Sequence, residues 1–271
     1  MHERGERLPP LRAVDGAPDV PRLSADECQV WWATPRHRLA WHDGLLDGAE
    51  HARRDRLRRA GDRDRFSVAV ALTRIVLGAH LGVAPTQVSI DRTCPRCDLP
   101  HGKPRLMGSP PAVEFSISHS ADRIAVAMAA GGTAVGVDVE ELARSEDVAE
   151  LSRLVLSSPE LAELARFDPK EHGAVLLRYW TRKEAIVKAT GDGLNEPLTN
   201  LTVTPPDQDP RLLDWATRSD APRRFALHDL NPGTGYVASL AVVDGPVAVS
   251  EIDAGRVLTG PGSGLDVAGE P

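Results

Sequence analysis

The chain has 271 residues, a hydrophobic content of 41% and a net charge of −7 at pH 7. This length fits one large domain or two small ones, and the composition is that of an ordinary globular protein with a sizeable core. The acidic balance argues against nonspecific nucleic-acid binding by the whole chain. Three cysteines, an odd number, favour a reducing compartment, the cytoplasm, over a disulfide framework.

The N-terminal part is predicted to contain one strand and two helices. Residues 1–21 are polar and Pro-rich and lack the apolar core of a secretory signal, so we expect a poorly ordered segment. A strand is predicted within 30–40, and helices are predicted over 48–60 and 62–80. Gly82 ends the second helix, as glycine commonly does after the last helical turn.

The remainder is predicted to alternate between strands and helices. The most apolar stretch, 124–137, is broken by two glycines and is too short to cross a bilayer. Helices followed by strands occur twice, with a break near residue 131, and we expect a flexible tail beyond about 252. Strands are predicted over 88–91, 113–118, 123–129, 133–140, 198–203, 223–230 and 235–243, and helices over 145–156, 158–167 and 170–189. Asp47 is the predicted N-cap of the helix at 48–60, apolar residues recur at helical spacing in the helix at 62–80, and Gly191 and Gly193 are the predicted stop of the helix at 170–189.

Two acidic side chains share one face of the predicted strand at 133–140. Side chains alternate along a strand, so Asp138 and Glu140 project together while the intervening valines supply an apolar face. Such a pair can be the solvated face of an edge strand. It can also contribute oxygen ligands for a hard cation such as Mg²⁺.

The predicted helix at 170–189 carries a second charged group. Glu184 and Lys188 are four residues apart and share one face with Trp180. An exposed pair at this spacing stabilises a helix by only a few tenths of a kcal/mol. If the helix packs beside the strand of Asp138, however, three carboxylates can converge on one cation, and the lysine indicates that the other ligand is a phosphate.

Cys94 and Cys97 form a Cys-x-x-Cys motif with His101 close behind. This arrangement can form half of a zinc site, but neither a fourth ligand nor a second cysteine pair is evident. The flanking sequence does not resemble thioredoxin, which argues against a redox motif. We therefore favour a plain loop with two thiols, which can oxidise to a local disulfide.

These segments together resemble the 4′-phosphopantetheinyl transferases, most closely the larger, single-chain Sfp type. The resemblance runs from about residue 47 to 236 and depends on four segments in the expected order. They are His101-Gly102-Lys103-Pro104, Phe115-Ser116-Ile117-Ser118-His119-Ser120, Gly136-Val137-Asp138-Val139-Glu140, and Trp180-Thr181-Arg182-Lys183-Glu184-Ala185-Ile186-Val187-Lys188 with Gly191 and Gly193 after it.

The resemblance implies an α+β fold of two similar halves related by a pseudo-two-fold axis. Each half is expected to be a small, mainly antiparallel sheet packed with helices, with the active site between the halves. The implied organisation is a flexible segment over 1–21, halves over 22–130 and 131–252, and a flexible tail over 253–271. A monomer is the simplest expectation for a single chain that holds both halves.

The resemblance also implies an activity. The family transfers the 4′-phosphopantetheine arm of coenzyme A to a serine of an acyl or peptidyl carrier protein and releases 3′,5′-ADP. Asp138, Glu140 and Glu184 are the implied Mg²⁺ ligands, and a bound cation can neutralise the diphosphate and polarise the phosphoryl oxygen. Glu184 is also the candidate base for the serine proton, directly or through water. Lys188 is expected to pair with the diphosphate.

Further contacts with coenzyme A are implied at five side chains. Lys183 is the weaker of the two helix lysines, because it lies about 100° from Glu184 on an ideal helix. His119 alone can be a turn histidine, and Arg53 can belong to a solvated helix face in an Arg-rich sequence. The implied coenzyme A contacts besides Lys188 are Arg53, Lys103, Ser118, His119 and Lys183.

Two alternatives remain open. The first is a relative that binds coenzyme A or a carrier protein without transferring the group, although the retained Asp138 and Glu184 argue against it. The second is a zinc or nucleic-acid module built on Cys94, Cys97 and the Arg-rich helix, which predicts stoichiometric zinc and salt-dependent binding. No phosphate-binding Gly-x-x-x-x-Gly-Lys-Ser/Thr loop or Rossmann fingerprint occurs. Polyketide, nonribosomal peptide and fatty acid synthesis are all compatible pathways.

Overall fold

A computed structural model describes residues 20–94, 96–100, 102–108, 113–142, 148–245 and 248–259. Small antiparallel sheets and helices alternate in it, which confirms the predicted α+β class. The predictions for residues 1–19, for His101, for the helix start at 145–147 and for the tail from 260 lie outside the described residues. Among the described helices, none is long and apolar enough to cross a membrane.

The first half is a sheet packed on one long helix. Its order is β11-β1-β5-β4, in which β1 and β5, and β5 and β4, pair antiparallel. A two-stranded ribbon of β2 and β3 lies outside this sheet. The elements are β1 (Glu27–Ala33), α1 (Gly48–Asp55), α2 (Ala60–Leu81), β2 (Ile90–Asp91), β3 (Arg105–Leu106), β4 (Val113–Ser120), β5 (Arg123–Ala130) and, from the end of the chain, β11 (Ala248–Asp253).

The second half repeats this plan. Its sheet order is β6-β10-β9, again with antiparallel pairing throughout, and β7 and β8 form a separate ribbon. The elements are β6 (Val135–Glu141), α3 (Val148–Val155), α4 (Ser158–Leu164), α5 (His172–Thr190), β7 (Leu201–Val203), β8 (Leu212–Trp215), α6 (Ala221–Arg224), β9 (Phe225–Leu230) and β10 (Tyr236–Val243).

The repeat lies in connectivity and not in sequence. In each half the chain makes a strand, a long helix, a two-stranded ribbon and then two antiparallel strands, and the last strand pairs with the first. Each long helix ends at a glycine with positive φ, Gly82 after α2 and Gly191 after α5. Glycine adopts this left-handed conformation without the steric strain that a Cβ adds. The helix stops predicted from these two glycines are confirmed.

The two sheets share a core. Ala125, Ala127 and Ala129 of β5 pack with the valines of β6 in one apolar cluster, while the alternate residues of β5 face α2 in another. Both faces of β5 are therefore buried, which explains its uninterrupted apolar sequence. The small alanine side chains allow the second sheet to lie close to the first.

Three serines of β4 also join the sheets. The Oγ atoms of Ser116, Ser118 and Ser120 accept hydrogen bonds from the backbone N–H groups of Val137, Val139 and Glu141 at 3.1, 3.3 and 3.1 Å. We call this row of serines the serine ladder. Because serines at alternate positions share one face of a strand, the whole row meets β6, and it satisfies edge N–H groups that are buried in the junction.

The C-terminal segment differs from its predicted flexibility. β11 (Ala248–Asp253) pairs parallel with β1, and α7 (Gly255–Thr259) follows it. Val257 and Leu258 are buried against the first half, and the Leu258 carbonyl lies 3.2 Å from Nε2 of His42. The tail predicted to be flexible from 253 is thus ordered through 259. Its apolar residues are too few to give a periodic signal, but they complete the first core.

Candidate active site

Asp138 and Glu140 share one face of β6, as strand alternation predicts, and both line a pocket with residues of β4 and α5. Asp138 is 3% exposed, and its Oδ1 accepts hydrogen bonds from Ser118 Oγ at 2.9 Å and Lys188 Nζ at 2.6 Å. Glu140 Oε2 accepts one from Ser120 Oγ at 2.8 Å. Neither side chain belongs to a freely solvated strand face, so that alternative is wrong for this strand.

Helix α5 lies against β6 and directs one of its faces toward the acidic pair. Trp180, Glu184 and Lys188 recur every four residues on this face, and all three line one pocket with Asp138 and Glu140. The Lys188 ammonium also donates to Ser118 Oγ at 3.0 Å. The pair of Glu184 and Lys188 is therefore part of a pocket wall and not an ordinary surface ion pair.

Gly136 permits this close approach of helix and strand. A Cβ atom at this position would lie 2.1 Å from the Ala185 carbonyl oxygen and 2.4 Å from the Ala189 backbone nitrogen. Real Cβ atoms essentially never make contacts below 3.0 Å with backbone. The glycine of the Gly-Val-Asp-Val-Glu segment thus permits the short distance between the carboxylates of β6 and Glu184 of α5.

The carboxyl group of Glu184 has an unusual proton affinity. Burial raises its pKa to about 7, and the nearby charges of Asp138 and Glu140 raise it while Lys188 lowers it. Burial disfavours the charged form, and two like charges add to that effect. A carboxyl group that titrates near neutral pH can accept a proton and release it, as a general base requires.

Nitrogen-bearing side chains also line the pocket. Arg53 of α1, Arg92, and His119 of β4 all contribute to its wall, and the pocket has a volume of about 350 Å³. Desolvation by the surrounding protein, followed by the charges of Arg65 and Lys188, lowers the pKa of His119 to about 4. His119 is therefore neutral at pH 7 and can donate a hydrogen bond to an anion. Arg53 and His119, two of the implied coenzyme A contacts, thus both lie in the pocket wall, and their contact with coenzyme A stays a prediction.

Apolar side chains also line the pocket. They are Phe66, Ala69 and Val70 of α2, together with Ile117 and Trp180. Arg53 also lies over the Phe66 ring, with its guanidinium carbon 5.9 Å from the ring centroid. Arg92 and Phe66 were not predicted as site residues: Arg92 precedes the cysteine loop, whose spacing gave no signal for it, and Phe66 matches an ordinary core position of α2.

The residues present fit a divalent cation. Asp138 Oδ2 is buried and has no hydrogen-bond partner among the described residues, although a buried carboxylate oxygen normally has one. The three carboxylates offer the hard oxygen donors that Mg²⁺ prefers. In the described ranges, no three acidic, His or Cys side chains are already arranged to hold a metal ion. The Lys188 ammonium forms an ion pair with Asp138 at the place where a cation would bind.

Lys183 does not reach the pocket, so its predicted contact with coenzyme A is wrong. Its side chain is completely buried, forms an ion pair with Glu160 and donates to the carbonyls of Val155 at 2.7 Å and Leu198 at 3.0 Å. Glu160 in turn accepts from the backbone N–H of Val203 at 2.8 Å. Lys183 thus ties α5 to α4 and β7, because its direction on the helix is away from Glu184.

We expect Lys183→Met to destabilise the protein by about 3–5 kcal/mol, because it leaves the Glu160 carboxylate buried without its counter-charge. Urea unfolding measures this change, with exposed Lys170→Met as the control near 0 kcal/mol. Where the variant is folded, its KM for coenzyme A should match that of the natural protein. Normal stability combined with a raised KM would restore the ligand-contact interpretation.

Lys103 lies outside the pocket as well. Its ammonium donates to the Ala189 carbonyl at 2.8 Å and the Val135 carbonyl at 3.3 Å, and it lies 3.5 Å from Glu114. Burial lowers its pKa. The Gly-Lys-Pro turn therefore holds the end of α5 and the start of β6 together, and the predicted contact of Lys103 with coenzyme A finds no support in its position.

The cysteine loop contains two thiols that are separate from the pocket. Cys94 is buried, Cys97 is exposed, and neither is in a disulfide. The Cys94 N–H donates to the Leu99 carbonyl at 2.9 Å, which closes the loop. Within the described ranges these cysteines belong to no group of metal ligands. Because His101 lies outside those ranges, the choice between a plain loop and a zinc site stays a prediction.

Comparisons with known proteins point to one family. A model of the 4′-phosphopantetheinyl transferase superfamily matches residues 134–241. The 4′-phosphopantetheinyl transferase HetI of Nostoc sp. (strain PCC 7120) is 29% identical over 232 residues, which are 83% of this chain and 92% of the relative. The 4′-phosphopantetheinyl transferase AcpT of Salmonella typhimurium is 39% identical over 90 residues, which are 33% of this chain and 46% of the relative.

Among solved structures, the holo-[acyl-carrier-protein] synthase of Thermotoga maritima is similar over 41% of this chain and 64% of its own, with 19% identity and a TM-score of 0.34. The family model covers β6 and α5, which carry Asp138, Glu184 and Lys188. The similarity to HetI extends along most of the chain. These matches support membership of the 4′-phosphopantetheinyl transferase superfamily.

Proposed function

We propose that this protein transfers 4′-phosphopantetheine from coenzyme A to a serine of an apo acyl or peptidyl carrier protein, releases 3′,5′-ADP and requires Mg²⁺. One observation carries the proposal. A single pocket joins three carboxylates and Lys188 to the cationic side chains Arg53 and Arg92 and to the neutral His119. Such a pocket suits a substrate that carries several phosphates and reacts at one of them.

The acidic part of the pocket is proposed to hold the reacting diphosphate. Asp138, Glu140 and Glu184 would hold Mg²⁺, which supplies charge neutralisation and polarises the phosphoryl oxygen. The Lys188 ammonium, already 2.6 Å from Asp138, is positioned to shift onto a phosphate oxygen that enters beside it. The orphaned Oδ2 of Asp138 supports this assignment.

Glu184 is proposed as the general base. It takes the proton of the carrier serine hydroxyl, the serine oxygen bonds to the phosphorus that bears pantetheine, and the bond from that phosphorus to 3′,5′-ADP breaks. The position of Glu184 in the pocket beside Asp138 and Lys188 supports this role. Its pKa of about 7 is that of the metal-free fold, and a bound cation would lower it, because a nearby positive charge favours the ionised carboxylate. Glu184 can bind a cation and accept a proton only through different oxygens.

The cationic part of the pocket is proposed to bind the remaining phosphate of coenzyme A. Arg53 and Arg92 lie close enough that the charge of Arg53 lowers the pKa of Arg92, after the larger effect of burial. An anion between them would relieve this repulsion. His119 supplies a neutral donor beside them, and Ser118, whose Oγ is engaged by Asp138 and Lys188, lines the same wall.

We further infer that the protein belongs to the larger, Sfp-type class, in which two halves are related by a pseudo-two-fold axis. The repeated connectivity of β1, α2 and β4–β5 in β6, α5 and β9–β10 supports this inference. The proposed halves are 22–130 and 131–252, with β11 added to the first sheet. We also propose a monomer in the cytoplasm that serves polyketide or nonribosomal peptide synthesis. The lack of disulfides among the three cysteines is compatible with that compartment.

Intact-protein mass spectrometry tests the proposed function. An apo carrier protein is incubated with this protein, coenzyme A and Mg²⁺, and we expect a phosphopantetheine mass increment that disappears with EDTA. Asp138→Ala should give no increment while its circular dichroism remains that of the folded protein. If several carriers gain no mass although the protein binds coenzyme A, the protein is a binding-only relative and the proposal is wrong.

A further inference from the structure

The serine ladder contacts side chains as well as backbone, in a fixed register. Each serine that accepts the N–H of a β6 residue lies beside the residue that precedes it on β6. Ser118 donates to Asp138 at 2.9 Å and accepts from Val139, and Ser120 donates to Glu140 at 2.8 Å and accepts from Glu141. Both carboxylates of the acidic pair are thus held by a neighbouring hydroxyl.

Ser116 is the third member of the ladder and touches no carboxylate. It accepts the Val137 N–H at 3.1 Å, but the preceding residue on β6 is Gly136. Ser116 and Ser120 are both buried, at 4% and 9% exposure. Ser116 and Ser120 therefore accept the same kind of backbone hydrogen bond, and of these two only Ser120 holds an acidic side chain.

We propose that Ser120 is a positioning residue that orients the Glu140 carboxylate for Mg²⁺. This inference depends on the proposed metal site. Glu140 is half buried, and the hydrogen bond from the Ser120 hydroxyl to its Oε2 at 2.8 Å restricts the orientation of its carboxylate. The N–H of Glu141 in turn fixes the Ser120 hydroxyl as a donor toward Glu140, because it occupies the serine oxygen as an acceptor.

Ser120 reaches the site only through Glu140. It is absent from the lining of the pocket, whereas Glu140 lines it. Hydrogen-bond partners behind a metal-binding carboxylate characteristically set its orientation, and their loss weakens metal binding about 10–100-fold. Ser118 does not permit the same test, because it also receives the Lys188 ammonium and lines the pocket.

The test is a titration of the full chain with Mn²⁺, in the presence of coenzyme A, followed by the electron paramagnetic resonance signal of free Mn²⁺. Ser120→Ala should weaken Mn²⁺ binding at least tenfold. Ser116→Ala also loses one hydrogen bond to the backbone of β6, so its Tm should fall as much as that of Ser120→Ala. Its Kd for Mn²⁺ should nevertheless equal that of the natural protein. Ser120→Thr retains the hydroxyl and should restore most of the affinity.

The outcomes separate this inference from the proposed function. If the natural protein binds Mn²⁺ and Ser120→Ala binds it equally well, the positioning role is wrong and the metal site stands. If Ser116→Ala weakens binding as much as Ser120→Ala, the serines act only by joining the strands, and the positioning role is again wrong. Failure of the natural protein to bind Mn²⁺ overturns the metal site itself.

Discussion

Glu184→Gln is expected to remove transfer activity and, in the metal-free protein, to raise stability. The variant cannot accept the serine proton, and loss of a general base lowers turnover about 10²–10⁴-fold. In the metal-free fold, however, burial and the charges of Asp138 and Glu140 make an ionised Glu184 unfavourable. The neutral amide removes this penalty.

The gain in stability has a defined pH dependence. The pKa of Glu184 is about 7 in the folded protein and about 4.5 when the chain is unfolded. Below pH 4.5 both states are protonated and the substitution changes little. Between pH 4.5 and 7 the unfolded state loses its proton first, so the folded protein with Glu184 loses stability relative to the variant. Above pH 7 the difference is constant, on the order of 1 kcal/mol after allowance for partial exposure, or roughly 2–4 °C in Tm.

Thermal unfolding in EDTA at pH 5 and pH 8 measures this difference. Excess Mg²⁺ should reverse the order, since a ligand that binds only the folded state stabilises the natural protein more than a variant without one of its carboxylates. Glu163→Gln, on the surface of α4, is the matched control and should change neither Tm nor activity appreciably. If Glu184→Gln turns over normally, Glu184 is not the base. If its Tm in EDTA at pH 8 is below that of the natural protein, burial does not disfavour the ionised form of Glu184.

Gly136→Ala is expected to reduce both stability and activity. The added methyl group would lie 2.1 Å from the Ala185 carbonyl oxygen, so α5 must move away from β6. Overpacking of this kind costs about 1–3 kcal/mol. The displaced helix carries Glu184 and Lys188, and a shift of about 1 Å in a catalytic group can lower the rate about 10²-fold.

Urea unfolding and the carrier mass assay measure the two effects of Gly136→Ala. Gly173→Ala is the matched control, because its added Cβ would have only Val148 Cγ2 nearby, at 4.0 Å, in the first turn of the same helix. There the same substitution should be neutral or slightly stabilising, since alanine is the better helix former. Equal results for the two variants would mean that the distance between α5 and β6 does not control the site.

Much of the fold follows from local patterns. The apolar spacing of α2, the N-cap of α1 at Asp47 and the glycine stops at Gly82 and Gly191 all predict what the structure has. β8 and β11 were missed. They are short, and neither carries a strict apolar alternation: β11 is exposed or half buried throughout. Their stability comes from pairing with β7 and β1, which no local sequence signal specifies.

The sequence by itself determined which side chains share a face: Asp138 with Glu140 on β6, and Trp180 with Glu184 and Lys188 on α5. These follow from the two-residue and four-residue periodicities of strand and helix. Only the tertiary structure decided which polar side chains meet the pocket. Lysine and arginine side chains are long and flexible, and their position is set by whichever carboxylates and carbonyls the fold brings near. Lys183 therefore pairs with Glu160, and Lys103 donates to a carbonyl at the end of α5. Arg92 lines the pocket.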